Sequence, residues 1–457
     1  MDVGAGWIHG PDGGNPITAL AKEAGAATYL TNDSSVRVFD STGTDVTTRQ
    51  FDFGTTKYAQ LRSIVNSTMA GGGPDKSLAQ ALLDADATLA QDPYVVYLAT
   101  SGTEFDSGGW LEAFSARNVS NDEKFPGKDV ILTGGYAQIP QLLAKGVDVR
   151  LNTVVTAVAH SNTGVQITTN NGTFTGDYCI CTLPLGVLKA GSVTFSPALG
   201  AEKKASIGRL GMGQINKVFL LFDQAFWPTD VQYFGYHSAR RGRYAYFLNY
   251  RTFSNFNCLV TFGFGQQGSA IEALSEAQLI ADVTPTLQKI FGSSAVAPRR
   301  AIRTGWNNDP YAFGAYTFQA VNCTFDDHVT MAAPASSSLL FAGEHTHEKY
   351  RATVHGAYLT GVREADRIIA AFGTSSGESD IERFLNWAEA TYPSLFAPRG
   401  TPSKTEFGVT FRFYPLTNNY LGVDATNTVE FEAKSTGVIQ KVGPLSNFMP
   451  QVIAAGF

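Results

Sequence analysis

One lysine interrupts a long apolar run. In GQINKVFLLFDQAFW, residues 213–227, Lys217 is followed by Val218, Phe219, Leu220, Leu221 and Phe222. A run apolar at nearly every position predicts a strand covered on both faces. A lysine buried there gives up its charge readily and can act as a base or hold a water. The same pattern also suits a lysine near a strand edge whose head reaches solvent along its aliphatic stem. A second candidate is WNNDPYAFGAYTF, residues 306–318, which carries Trp306, Tyr311, Phe313, Tyr316 and Phe318 beside the turn residues Asp309-Pro310 and Gly314. Rings that face one another form a box for an amine or ammonium group. The alternative is a core aromatic cluster.

The third candidate is a strand–turn–helix. SLLFAGE, residues 338–344, leads into TVHGAYLTGVREADRIIAAF, residues 353–372. A helix N-terminus offers unpaired amides and partial positive charge, which stabilise a phosphate or a reduced flavin ring. Glu344 follows Gly343 at the strand tip, where a carboxylate can hold sugar or ribityl hydroxyls. Gly356 and Gly361 weaken the helix by about 1 kcal/mol each, which suits a close neighbour. An ordinary strand–helix packing unit with a surface glutamate fits the same residues.

Other chemistries are excluded. His9, His345, His347 and His355 do not fall at metal-ligand spacing with carboxylates. Cys179, Cys181, Cys258 and Cys323 form no CxxC motif and are expected as buried thiols. No GxSxG elbow is present. The opening MDVGAGWIHG places Gly4-Ala5-Gly6 without the preceding strand and third glycine of a dinucleotide fingerprint, so it reads as a turn where backbone passes close to something.

These candidates sit in a chain of 457 residues, 44% hydrophobic and 12% aromatic, enough for two or three domains with a large core. The formal charge of −6 and the lack of a long basic run argue against nucleic acid as a partner. No apolar run reaches membrane-spanning length. A charged content of 16%, with many Thr, Asn, Ser and Gly residues, resembles secreted bacterial proteins and points toward an extracytoplasmic location. Residues 74–92 have helical apolar spacing. Residues 148–183 read as a meander turning at Asn162-Thr163-Gly164 and Asn170-Asn171-Gly172, and 212–264 as a second strand-rich block. Ser275 and Gln278 predict a capping box before LIADVTPTLQKIF. GTSSGES, residues 373–379, reads as a linker. A separate unit of helix and short strands follows.

Together these stretches resemble the flavin-dependent amine oxidases, which include polyamine oxidases, monoamine oxidases and flavin-type histone lysine demethylases. LLFAGEHTHEKYRATVHGAYLTGVREADRI is similar to the family's C-terminal flavin-binding block. LNTVVTAV with CTLPLGVL resembles its middle block, GQINKVFLLFDQAFW its lysine strand, and MDVGAGWIHGPDGGNPI the segment under the flavin. The likeness covers residues 2 to about 372. It implies an α/β plus α+β fold. In it a Rossmann-like FAD-binding domain (1–14, 131–205 and 336–372) interleaves with a mixed-sheet substrate domain (15–130 and 206–335). Residues 380–457 would form a small α+β accessory unit. In the family a βαβ unit with GxGxxG precedes the VGAGW segment. The sequence begins after that unit, so a truncated or miscalled start is expected.

The resemblance further implies that Lys217 holds a water against the flavin, that Tyr316 forms one wall of an aromatic cage, and that His9 lies near the amine path. Gly4, Ala5, Gly6 and Trp7 would lie under the flavin; Val155 would bracket adenine; Trp306 would pack on the flavin. Gly343 and Glu344 would contact the ribityl chain, and Thr353 and Val354 the ring at the helix tip. Glu104, in GTEF, is the loosest match, to an acidic residue that attracts a second ammonium. Ala315 stands where monoamine oxidases carry a flavin-bonding cysteine, so FAD is expected to be non-covalent; Thr353 stands where some members carry a second cage tyrosine. The expected activity is oxidation of a polyamine or related amine by O2, giving an imine, then an aldehyde, with H2O2. The alternatives are an L-amino acid oxidase, for which no motif supplies the arginine clamp, and a catalytically inactive truncated flavin-fold protein.

Overall fold

A computed structural model describes residues 1–119, 123–375, 380–391, 404–406, 409–414, 419–424, 428–433 and 438–444. The chain divides into two compact units, Met1–Val362 and Arg363–Phe457.

The largest sheet of the first unit has six strands. In order across the sheet they are Arg300–Arg303, Ile215–Leu221, Cys258–Phe264, Arg243–Asn249, Tyr233–Tyr236 and Val36–Phe39. All neighbours are antiparallel except the last pair. Both faces are covered, which explains the apolar run around Lys217. On one face Val218, Leu220, Phe234, Phe247 and Leu259 pack under Leu279, Val283, Leu287 and Ile290 of the helix Glu276–Phe291. That helix opens with the expected Ser275–Gln278 capping box. On the other face Ile215, Phe219, Val260, Phe262 and Phe264 meet Trp7, Phe105, Ala315 and Tyr316. Successive strand residues point to opposite faces. Lys217, between Ile215 and Phe219, therefore faces the aromatic side, while Asn216 faces the helix side.

A three-stranded antiparallel sheet carries Trp7–Ile8 on Val130–Leu132. Trp7 joins the aromatic cluster beside Tyr316, and Ile8 packs in a second cluster with Ile17, Val130, Val354 and Tyr358. This two-residue strand thus lies between the lysine face and the start of the helix Val354–Ser375. The meander appears as Val155–His160, Val165–Thr169 and Gly172–Gly176, joined by Thr194–Ser196. Cys179–Cys181 pairs in parallel with Leu339–Phe341, the strand that leads to Gly343. All four cysteines are free thiols; Cys179 is half-buried and the rest are buried.

Two expectations needed adjustment. The helix over 74–92 breaks at Asp86 into Leu78–Ala85 and Ala87–Ala90, because the Asp86 carboxylate accepts the Leu89 amide and caps a new helix. The helix from 353 runs to Ser375, so residues 373–375 of the expected linker are helical, and 376–379 fall outside the described residues. In the second unit the helix Asp380–Thr391 contributes Phe384, Leu385, Trp387 and Ala388 to a small core shared with Leu421 and Val429 of a five-stranded antiparallel sheet.

Candidate functional site

Lys217 sits opposite Phe262 in the sheet. Its Nζ donates to the carbonyl oxygens of Asp2 at 2.8 Å and Gly4 at 2.5 Å, and lies 5.6 Å from the centre of the Trp7 ring. Burial disfavours the charged form and lowers the ammonium's pKa to about 8, against a smaller opposing pull from Asp2. A small cleft of about 10 Å³ adjoins it, lined by Asp2, Gly6, Trp7, Tyr250, Val260 and Phe262 among others. Space does not force glycine at Gly6, since a Cβ there would stand 3.7 Å from Nζ, an ordinary contact, and Gly4 has open space around it.

Tyr316 is held at both ends. Its hydroxyl donates to the Phe105 carbonyl at 3.1 Å, and its own carbonyl accepts the Gly213 amide at 2.7 Å. Gly108, with φ +79°, lies so close that a Cβ would collide with the ring. Burial pushes the phenol's pKa well above its ordinary value, so it remains a neutral donor. The rest of the aromatic segment does not form one box. Tyr311 is 62% exposed, and Phe318 packs instead with Phe114 and Trp110. Trp306 is tied to the lysine strand: its amide approaches Asn216 Oδ1 at 3.4 Å, and Thr304 Oγ1 donates to the same atom at 2.8 Å.

Glu344 joins the two halves of the site. Its Oε1 accepts the Thr317 amide at 3.2 Å; its Oε2 accepts the Thr317 hydroxyl at 2.5 Å and the Ala352 amide at 2.8 Å. It therefore ties the residue after Tyr316 to the turn before Val354. Burial raises its pKa, against those hydrogen bonds. The carboxylate expected to hold ribityl hydroxyls is mostly committed to protein donors, with Oε1 retaining room for one further donor.

Thr353 caps the helix. Its Oγ1 accepts the Gly356 amide at 3.0 Å, and its carbonyl accepts the Ala357 amide at 3.0 Å. The amides of Val354 and His355 at the tip then have no intrahelical acceptor. Gly356 serves the chain itself, since a Cβ there would strike the Tyr350 carbonyl; Gly361 has nothing within 4 Å. Gly343, at φ +123°, donates its amide to Thr360 Oγ1 at 2.9 Å.

Lys217, Trp7, Trp306, Tyr316, Glu344, Thr353 and Val354 thus belong to one connected set. The others stand apart. His9 is exposed and pairs with Asp129 at 2.6 Å. Gly4 and Ala5 are exposed, and of the two Gly4 joins the set only through its carbonyl, which accepts from Lys217 Nζ. Val155 packs in the separate core around Val158, Leu185 and Phe341. Glu104 is 1% exposed; its Oε1 accepts the Leu111 amide at 3.0 Å and lies 3.4 Å from Arg241 Nε. The sequence reading missed Asn216, whose Nδ2 donates to the buried Glu272 at 2.6 Å, although a second polar residue beside Lys217 was a visible signal. It also missed Phe105 and Thr317, which carry no such signal.

These residues suit a flavin at two points. The free amides at the Val354 tip match the electron-rich edge of the ring. The Lys217–Trp7 face offers one cation and one flat ring. Two of the lysine's donors, however, already rest on Asp2 and Gly4, and the adjoining cleft of about 10 Å³ has room for one water rather than a ligand.

Comparison with known proteins gives the family. Residues 1–369 match the family of flavin containing amine oxidoreductases. The chain is 30% identical over 389 residues to lysine-specific histone demethylase 1 homolog 1 of Oryza sativa subsp. japonica, covering 81% of this chain and 46% of the relative. It is 29% identical over 423 residues to lysine-specific histone demethylase 1 homolog 2 of Arabidopsis thaliana, covering 89% and 56%. The chain spans about half the length of the curated relatives it matches. Among solved structures, wild-type putrescine oxidase bound to putrescine is similar in fold, with a TM-score of 0.63 and 20% identity over 80% of this chain and 88% of that one. The chain therefore belongs to the flavin containing amine oxidoreductases, whose cofactor is FAD.

Proposed function

We propose that this protein oxidises a small diamine or polyamine with O2, using non-covalently held FAD. The observation that carries the reading is the set built on Lys217: a lysine of lowered pKa under an indole, on the same sheet face as a neutral, doubly anchored tyrosine. Support for a diamine comes from the similar fold of a putrescine-bound oxidase. In this reading residues 1–14, 131–205 and 336–372 serve FAD, and 15–130 and 206–335 serve the amine.

FAD, when bound, takes two electrons from the amine and hands them to O2. In balance, R–CH2–NH2 becomes R–CH=NH, O2 becomes H2O2, and water converts the imine to R–CHO and ammonia. The chain supplies position and polarity. Tyr316 offers an aromatic wall to the uncharged amine. Lys217 Nζ, whose pKa is lowered to about 8, would hold or release a proton for an amine bound there. The Val354 and His355 amides at the helix tip would stabilise negative charge on a bound flavin ring. Ala315, partly buried in the aromatic cluster, has no nucleophile with which to bond a cofactor.

The test is peroxide release from the FAD-supplemented chain with putrescine, spermidine, an N-methyl-lysine peptide and L-amino acids. Turnover of putrescine or spermidine above the others is expected. Turnover of only the peptide or of amino acids contradicts the substrate class, and none at all contradicts the oxidase.

A further inference from the structure

Glu104 was expected to attract an ammonium, yet it is 1% exposed and bonded inward. It ends the π-helical turn Ala99–Glu104, which passes into the short helix Phe105–Ser107 and the left-handed Gly108. Its Oε1 accepts the Leu111 amide at 3.0 Å and so closes the turn from 104 to 111. Beyond its packing on the sheet face, the Tyr316 side chain is oriented from inside that turn. The Phe105 carbonyl takes the phenol proton at 3.1 Å, and Gly108 abuts the ring. Gly213, whose amide holds the Tyr316 carbonyl at 2.7 Å, in turn leaves no room for a Cβ against the Gly108 carbonyl. Among the described residues the other carboxylate oxygen, Oε2, is buried outside hydrogen-bond geometry, so the closure to Leu111 runs through Oε1. Arg241, 3.4 Å from Oε1, spends its Nη2 on Glu112.

We infer that Glu104 is the positioning residue for Tyr316, acting through the turn 105–111 by reach rather than by charge. The significance for amine binding rests on the reading of Tyr316 as the wall beside the substrate.

Reach and charge separate in two conservative variants of the full chain. Glu104→Gln keeps the length and an acceptor oxygen for Leu111 but loses the charge. Glu104→Asp keeps the charge beside Arg241 but is shorter by one C–C bond, about 1.5 Å. The readout is the near-ultraviolet circular dichroism contributed by Tyr316, taken as the difference between each form and its Tyr316→Phe counterpart. It needs neither FAD nor turnover, so it decides this inference even if the protein oxidises no amine. The expected result is that Glu104→Gln retains the wild-type difference spectrum and Glu104→Asp loses more than half of it. The reverse pattern would assign Glu104 a charge-based role and overturn the inference. Retention in both variants, or loss in both, would overturn it equally.

Discussion

The ammonium of Lys217 lies 5.6 Å from the centre of the Trp7 ring and donates to the Asp2 and Gly4 carbonyls. Strand alternation sets the side from which the lysine emerges, and the Trp7–Ile8 strand brings the indole to it. The same strand turns Ile8 toward the cluster that contains Val354. One short strand thus links a cation of lowered pKa to a helix tip with free amides.

Because burial lowers the Lys217 pKa from 10.5 to about 8, the sign of its pH linkage is fixed. Between these values the unfolded chain binds a proton that the folded chain does not, so stability rises with pH. The melting temperature of wild type relative to Lys217→Met should increase from pH 8 to pH 10. A difference that is flat or falls over that window would show that the lysine is not charge-penalised. For amine oxidation the same substitution should lower kcat/KM by roughly 10²–10³, the scale of a lost acid–base group.

Glu104 has the opposite linkage. Burial raises its pKa from 4.5 to about 6, against the pull of Arg241. Over that interval the folded chain holds a proton the unfolded chain lacks, so this residue's contribution is greatest in acid and declines as pH rises. The stability of wild type relative to Glu104→Gln should fall between pH 4.5 and pH 6, measured by denaturant unfolding. An increase would mean that Arg241 outweighs burial.

Glu344→Ala removes the acceptor of the Thr317 amide, the Thr317 hydroxyl and the Ala352 amide together. Buried donors left unpaired cost on the order of 1–3 kcal/mol, more where the lost partner is charged. The substitution should destabilise the first unit by about 3 kcal/mol and weaken FAD binding, as read by retention of visible absorbance after gel filtration. A loss below about 1 kcal/mol would show that solvent replaces the carboxylate.

The two glycines of the site helix should behave differently. A Cβ on Gly356 would strike the Tyr350 carbonyl, so Gly356→Ala should disturb the Thr353 cap and lower stability by roughly 2 kcal/mol. Gly361 has open space around it, and Gly361→Ala should be neutral or stabilising by up to about 1 kcal/mol. Thermal melts of the pair check this, and equal effects would contradict the packing described.

Much of this was legible in local pattern. The apolar run around Lys217, the Ser275–Gln278 box and the turn at Asn170-Asn171-Gly172 carry short-range signals, and each element forms where its residues direct it. Partner choice across the fold was not legible. Glu344 was expected to hold ribityl hydroxyls, and nothing in its own segment shows that Thr317 and Ala352 will meet it. Glu104 suggested an exposed anion because its closure depends on Leu111 beyond a left-handed glycine. Tyr311 and Tyr316 share a segment and differ only in which way the tight turn at Gly314 sends them.

The central claim is that Lys217, Tyr316 and the Val354 tip serve one FAD at which an amine is oxidised. Its most direct test is an anaerobic titration of the FAD-loaded chain with putrescine, followed by visible absorbance. The account predicts loss of the oxidised flavin bands on addition of putrescine, with Lys217→Met bleaching more slowly and recovery on admission of air. A chain that retains no FAD, or one whose flavin bands persist under excess putrescine, spermidine and N-methyl-lysine peptide alike, would contradict it.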